Sequence, residues 1–350
     1  MAEFRTIPGD QPLRAVVVGA GGMGRGWLRN VQSSELVELV GVVDLNVDAA
    51  KAAVEGLGVS GIAVGSSLGD VVAQSTPDFV VDVTVPEAHH PVTLQALSLG
   101  LPVIGEKPLA ASMAEAASLV AAAHAAGELF VVSQSRRYEQ TLFTLKAHAQ
   151  RLGGIGILTH EFFKAPHFGG FRDAMDHPLL LDMAIHNFDA ARFLLDAEPV
   201  AVYCEEYNPD WSWYAGDAAS TAIFEMTGGI RYVYTGSWCS EGLQTEWNSN
   251  WRVSGRHGTA SWDGTAEPQL ELVDESVPAT AAAVAPGQGI AGSLRDFVHA
   301  LRTGETPMGE CGENILSLAM VYAAIESASR GERVRINDIL SRAQSEAATT

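Results

Sequence analysis

Over the first third of the chain, short unbroken apolar runs alternate with segments whose apolar positions recur every three or four residues. Leu13–Val18 (LRAVVV), Val37–Val43 and Phe79–Val85 are Val-rich and too short for buried helices, which predicts strands covered on both faces. Ile62–Val64, Pro102–Ile104 and Leu129–Ser133 continue the series. Between them, Met23–Gln32, Val47–Leu57, Glu87–Leu99 and Ser112–Ala126 carry helical spacing, and Ser112-x-x-Glu115 has the form of a capping box. The Ala-rich stretch Ala110–Ala126 is broken by Glu115 and His124, so it reads as a surface helix. Such alternation predicts βαβ units with right-handed crossovers and one doubly wound parallel sheet ending near Ser135. Beyond Gln150 the period changes. Thr221–Met226 and Ile230–Trp238 alternate around Gly228-Gly229, a hairpin signature. The Ala-, Pro- and Gly-rich stretch Ser276–Gly292 reads as a loop, and Ser293–Arg302 and Asn314–Ser329 as amphipathic helices. The pattern predicts an α/β protein of two domains: a doubly wound domain over 1–135, and an α+β domain over 136–350 with an open, mainly antiparallel sheet.

The turn after the first strand carries a specific chemistry. Leu13–Val18 leads into Gly19-x-Gly21-x-x-Gly24, and Asp44 closes the second apolar run. One glycine permits the tight turn, the next lets backbone approach a pyrophosphate, and the third lets the helix pack on the strand. Gly22 and Met23 lie in the same turn, where free helix N-terminal amides would hold the pyrophosphate. Strand, helix and terminal acid together mark a Rossmann dinucleotide site. Asp44 is placed to accept hydrogen bonds from the adenosine ribose and to repel a 2′-phosphate, and Leu45-Asn46 supplies no arginine, so NAD is expected over NADP. Two further loops follow buried strands at the same carboxyl edge: Thr84-Val85-Pro86 with His89 one turn on, and Gly105-Glu106-Lys107-Pro108. Thr84, Pro86, His89, Glu106 and Lys107 therefore join the expected cofactor contacts.

In the second half, LLLDMAIHNFDAARFLL is strongly helical, and its Asp182 and His186 are four residues apart on one face. An aspartate that orients an imidazole and stabilises its protonated form is a recurrent general-base arrangement. The preceding APHFGGFRDAMDHP offers Arg172, Asp176 and His177 as substrate contacts. Arg136, Arg137 and Tyr138, just past the last strand of the first domain, fit either a substrate cleft or a structural junction. Six of the seven tryptophans lie between Trp211 and Trp262, where packing is a better account than sugar stacking. His160, His167 and His257 lack ligand spacing, so no metal is expected.

Composition narrows the partners. At 350 residues with 47% hydrophobic and 18% charged residues, the chain is an ordinary globular protein long enough for two domains. A formal charge of −20 disfavours nucleic acid and anionic membranes. The three cysteines, Cys204, Cys239 and Cys311, are odd in number and form no C-x-x-C pair, which fits a reducing cytoplasm. The N-terminal MAEFRTIPGDQPLR has no apolar core of a signal peptide, and no run of about 18 apolar residues suggests a span. Aromatic and aliphatic residues on both faces of the second sheet (Ile223, Phe224, Met226, Tyr232, Val233, Tyr234, Trp238) call for cover on both. Helices would supply one, and a second subunit the other, giving a homodimer or homotetramer built through that sheet.

These residues together resemble the glucose-fructose oxidoreductase, inositol dehydrogenase and rhizopine-catabolism (Gfo/Idh/MocA) family over nearly the whole chain. The resemblance rests on Gly19–Gly24, the block PEAHHPVTLQALSLGLPVIGEKPLA with its Glu106-Lys107-Pro108 signature, the D-x-x-x-H of Asp182 and His186, and the tail SLRDFVHALRTGETP. It implies a Rossmann domain followed by a mainly antiparallel α/β domain with the active site between them. It also implies catalytic roles for the residues matching Lys107, Asp182 and His186, with NAD or NADP as hydride carrier. Where many members have a glycine-rich approach to the aspartate, this chain has Asp176-His177-Pro178-Leu179-Leu180, so no named substrate carries over. The expected reaction is oxidation of a CH–OH group of a sugar, inositol or related polyol. An NAD-dependent glycosidase working by transient oxidation, and a non-catalytic dinucleotide sensor, are the alternatives.

Overall fold

Six short strands open the computed structural model, which describes residues 4–274 and 276–349. They are β1 (Leu13–Val18), β2 (Val37–Val43), β3 (Ala63–Gly65), β4 (Phe79–Asp82), β5 (Val103–Gly105) and β6 (Phe130–Val132). All pair in parallel in the order β3-β2-β1-β4-β5-β6, so the direction of winding switches between β1 and β4. The crossovers are α1 (Gly22–Ser33), α2 (Val47–Leu57), α3 (Leu68–Ser75), α4 (Pro86–Ser98) and α5 (Met113–Ala126). The doubly wound parallel sheet is the one the apolar runs predict. Ser112 caps α5, its Oγ accepting from the Glu115 amide at 3.2 Å. The same helix buries Met113, Ala116, Ala117, Leu119 and Ala123, the inner stripe of a surface helix.

Two local differences have identifiable causes. Helix α3 is absent from the pattern reading because it is only eight residues long; its signal is Ser67, whose Oγ caps the Asp70 amide at 3.3 Å. Strand β4 stops at Asp82 rather than Val85 because Asp82 accepts hydrogen bonds from the Thr84 amide and hydroxyl, turning the backbone out of the ladder.

The second sheet has eight strands: β7 (Ile155–Phe163), β8 (Pro199–Tyr207), β9 (Ala219–Met226), β10 (Arg231–Ser237), β11 (Asn250–Gly255), β12 (Gly258–Trp262), β13 (Gln269–Leu272) and β14 (Val334–Arg335). Their order is β13-β12-β11-β7-β10-β9-β8-β14, and every pairing is antiparallel except β7 with β10. Gly228 and Gly229 both take positive φ, 73° and 79°, which is why two glycines make the β9–β10 turn. One face is packed: Phe188 of α7 (Ile185–Leu195) lies 4.8 Å from the Phe224 ring and 5.2 Å from that of Tyr234. On the other face Ile157, Tyr203 and Ile223 remain 40–45% exposed. Cross-strand register sets Tyr203, Ile223, Val233, Thr159 and Arg252 in one row, so this face is mixed rather than wholly apolar.

The remaining helices are α6 (Gln140–Gln150), α8 (Gly289–Thr303), α9 (Cys311–Arg330) and α10 (Ile336–Ala347). Of the two compact units, the first comprises residues 1–138, 286–315 and 342–350, and the second 139–285 and 316–341. A single cut at 135 does not describe this division, because α8 belongs to the first core. Phe297 meets Phe79 at 5.2 Å, and Leu294, Val298 and Leu301 join the cluster around Trp27 and Val81. Among the described residues no helix is long and apolar enough to cross a membrane.

Candidate active site

In the first unit, the turn from β1 to α1 is built by exclusion. Gly19 has φ +104°, and a side chain there would strike the Val83 carbonyl; one on Gly24 would strike the Gly19 carbonyl. Only glycines allow this turn to lie against the β4 loop and allow α1 to start so close. At Gly21 and Gly22, by contrast, the position of an added Cβ is open. The first turn of α1 has no side-chain cap and no acid, which leaves its amides available to an anionic group. Asp44 sits at the end of β2, its Oδ2 accepting from the Ala20 amide and its Oδ1 from the Asn46 amide, each at 2.8 Å. Two backbone donors thus aim the carboxylate, whose remaining lone pairs are free in number to take ribose hydroxyls. The residues present fit a dinucleotide with an unphosphorylated ribose.

The adjoining loops are tied to each other through buried groups. Asp82, 1% exposed, accepts from Thr84 Oγ1 at 2.6 Å and Thr93 Oγ1 at 2.9 Å. Burial pushes its carboxyl above the usual range, while nearby His89 and the Thr84 and Thr93 hydrogen bonds oppose that rise. His89 is itself buried, with Nδ1 2.7 Å from the Pro108 carbonyl and Nε2 3.1 Å from that of Thr84. Both contacts run to backbone carbonyl oxygens, one in each loop. His89 therefore braces the 84–86 and 106–108 loops from within. Glu106 accepts from Trp27 Nε1 at 2.7 Å, joining the end of β5 to α1, and Lys107 beside it is half-buried. Thr84 and Pro86 are likewise half-buried, and Met23 is 55% exposed.

In the second unit, Leu179–Ala184 form a π-helical turn that runs directly into α7. Asp182 falls in the wide turn and His186 in the α-helix. Wide π turns inside helices recur at functional sites. Arg172 Nε donates to Asp182 Oδ2 at 2.7 Å, and the Asp182 side chain is 15% exposed. The guanidinium lies over the rings of Phe168 and Phe171, 5.2 and 4.7 Å from their centroids. This partner of Asp182 is invisible to helical spacing, because it comes from the preceding loop. Asp176 is exposed, and His177 Nδ1 lies 2.7 Å from Glu206 Oε2. Hydrogen bonding to Glu206 raises the His177 pKa, burial opposes, and Asp217 and Asp176 add to the rise.

Other expected residues sit elsewhere. Arg137 is buried in the first unit and donates to Glu313 Oε1 at 2.8 Å, beside Tyr138, whose hydroxyl donates to Asp296 at 2.9 Å. Trp238, Trp251 and Trp262 are buried and packed, with His160 stacked on Trp251 at 3.6 Å, while Trp211 and Trp247 are exposed. Sequence reasoning missed Asp82, Glu206 and Phe171. Asp82 alone left a signal, an acid ending an apolar run as Asp44 does.

Residues 13–134 match the model of the GFO/IDH/MocA oxidoreductase family, NAD-binding Rossmann fold, and residues 159–261 match that of its C-terminal domain. An uncharacterised protein of Sinorhizobium fredii is 26% identical over 344 residues, covering 92% of this chain and 95% of its own length. The D-apiose dehydrogenase of Paraburkholderia graminis is 25% identical over 352 residues, covering 93% and 90%. Among solved structures, an oxidoreductase from Agrobacterium radiobacter in complex with NAD+, L-tartaric acid and magnesium superposes with a TM-score of 0.82 at 18% identity, covering 94% of this chain and 99% of that one.

Proposed function

This chain belongs to the GFO/IDH/MocA oxidoreductase family and is an NAD-dependent dehydrogenase, and we propose that it oxidises a CH–OH group of a sugar, inositol or related polyol. NAD, when bound, supplies the hydride acceptor. Gly21, Gly22 and Met23 would hold its pyrophosphate with their amides, Asp44 the adenosine ribose, and the Thr84–Pro86 and Glu106–Lys107 loops the remainder. His186 accepts the hydroxyl proton as general base. Asp182 steadies the imidazolium so formed, and the Lys107 ammonium donates a hydrogen bond to the oxygen as it gains negative charge. Arg172 positions Asp182 and, with Asp176 and His177, contributes to substrate choice.

The observation that carries this reading is the setting of Asp182: a mostly buried carboxylate, four residues before His186, fixed by a guanidinium. The decisive experiment incubates the protein with NAD or NADP and a panel of aldoses, inositols and sugar acids, following reduced-cofactor absorbance. Turnover of a polyol with NAD is expected. Release of free sugar without net NADH, or no turnover at all, overturns the reading.

The half-exposed row Tyr203, Ile223 and Val233 supports assembly as a homodimer or homotetramer through the outer face of the second sheet. Light scattering at micromolar concentration should give at least twice the 37.0 kDa chain mass, and a monomer would overturn this. Free Cys204, Cys239 and Cys311, all buried, support a cytoplasmic setting.

A further inference from the structure

Three segments of the second unit bring an imidazole and two carboxylates together. His177 ends the loop before the π turn, Glu206 is the penultimate residue of β8, and Asp217 lies just before β9. One donor atom of each lies within 4.8 Å of the others. The backbone fixes this closeness: the Asp217 amide donates to the Asp176 carbonyl at 2.9 Å and the Ala215 amide to that of Asp173 at 2.8 Å. Gly216 packs so tightly on Asp176 that a Cβ would overlap its carbonyl. The two loops therefore hold His177 and Asp217 at a set separation.

Within the cluster, Glu206 is incompletely satisfied. Its side chain is 2% exposed, Oε2 faces His177 Nδ1 at 2.7 Å, and Oε1 is buried with no hydrogen-bond partner. A buried carboxylate oxygen without a donor is costly, and few persist without a ligand, water or ion to meet them.

We propose that His177, Glu206 and Asp217 form a binding site for one divalent first-row transition-metal ion, Zn2+ or Mn2+, with His177 Nδ1 and a carboxylate oxygen from each acid as ligands. One imidazole with two carboxylates is a donor set such ions accept, whereas Mg2+ and Ca2+ prefer oxygen alone. Ligands about 2.0–2.2 Å from one ion stand about 3 Å apart at the right angles of an octahedral Mn2+ site and about 3.4 Å apart at the tetrahedral angles Zn2+ prefers. The observed 2.7 Å pair needs to open by about 0.3 Å for the first and about 0.7 Å for the second, with the ion replacing the proton it now shares. Three protein ligands leave positions for water or another oxygen donor. The bound ion would pin the 173–177 loop to the 215–217 loop and to the end of β8. The site does not depend on the proposed reaction, and failure to turn over polyols would leave it untouched.

Calorimetric titration of the chelator-treated, untagged full chain with Zn2+, and separately with Mn2+, tests the site. One equivalent bound at micromolar Kd is expected for at least one of the two ions, with a rise in thermal midpoint. Glu206→Gln and Asp217→Asn should each weaken binding more than about tenfold, with circular dichroism confirming the fold. If Glu206→Gln fails to fold, Asp217→Asn and His177→Asn carry the test. His124→Ala, at the other cluster of potential ligands (His124, Glu310, Cys311), should leave the affinity unchanged. Binding of both ions weaker than millimolar, or affinity that survives Asp217→Asn and is lost in His124→Ala, overturns the proposal.

Discussion

The two units hold their functional carboxylates by different means. In the first, Asp44 is gripped by backbone amides, and Asp82 by a Thr84 amide with hydroxyls from Thr84 and Thr93. In the second, Asp182 is held by Arg172 and Glu206 by His177. Backbone donors such as those on Asp44 come with the fold and persist through most sequence change, so the first unit can keep that acid of its cofactor cradle in place. Side-chain partners can be exchanged one at a time, so the second is where substrate preference can change without loss of fold.

Breaking this contrast produces effects of graded size. Lys107→Ala should lower kcat by about two to three powers of ten while NAD still binds; turnover at the wild-type rate in the absorbance assay would remove Lys107 from the mechanism. Arg172→Met removes the ion pair between Arg172 and Asp182 and should reduce kcat/KM by roughly ten- to a hundredfold, on the order of 1–3 kcal/mol. Combined with Asp182→Asn it should show strong coupling, and additive losses would mean that the ion pair does not orient the aspartate. Asp44→Ser should leave folding intact and shift the preference from NAD toward NADP; a ratio unmoved in steady-state kinetics would mean that its amide contacts are its whole role.

The smallest effect concerns pH. Burial raises the Asp82 carboxyl above its unfolded value, so the folded state binds this proton more tightly. Its contribution to stability is therefore present below the unfolded carboxylate range and is lost as pH rises through the folded pKa. Urea midpoints of Asp82→Asn, compared with wild type from pH 3 upward, should lack that decline. Parallel curves would assign the pH dependence to other groups.

Legibility follows the same division. Strands β1 and β2 and helix α2 were readable to the residue, since contiguous valines, helical spacing and terminal signals all lie close in sequence. The glycine turn was readable because each glycine answers a local steric demand. The His89 contacts with Thr84 and Pro108 were not, since they depend on how two loops meet. The Asp182–Arg172 pair spans ten residues and the His177–Glu206 pair 29, distances at which no periodicity links the partners. A π turn likewise has no pattern distinct from an α-helix, so the run through Asp182 read as uniformly helical.

The return of α8 to the first core has a consequence for biosynthesis. Phe79 is made long before Phe297, and the 139–285 segment of the second unit is translated in between. At about 5–20 residues per second, that interval lasts on the order of ten seconds or more. Throughout it the nascent parallel sheet has no α8 to cover Phe79 and Val81. A gene truncated after Tyr138 would fix that exposed state permanently and should give an aggregating product. The cofactor unit is thus contiguous in function but not in the order of its synthesis.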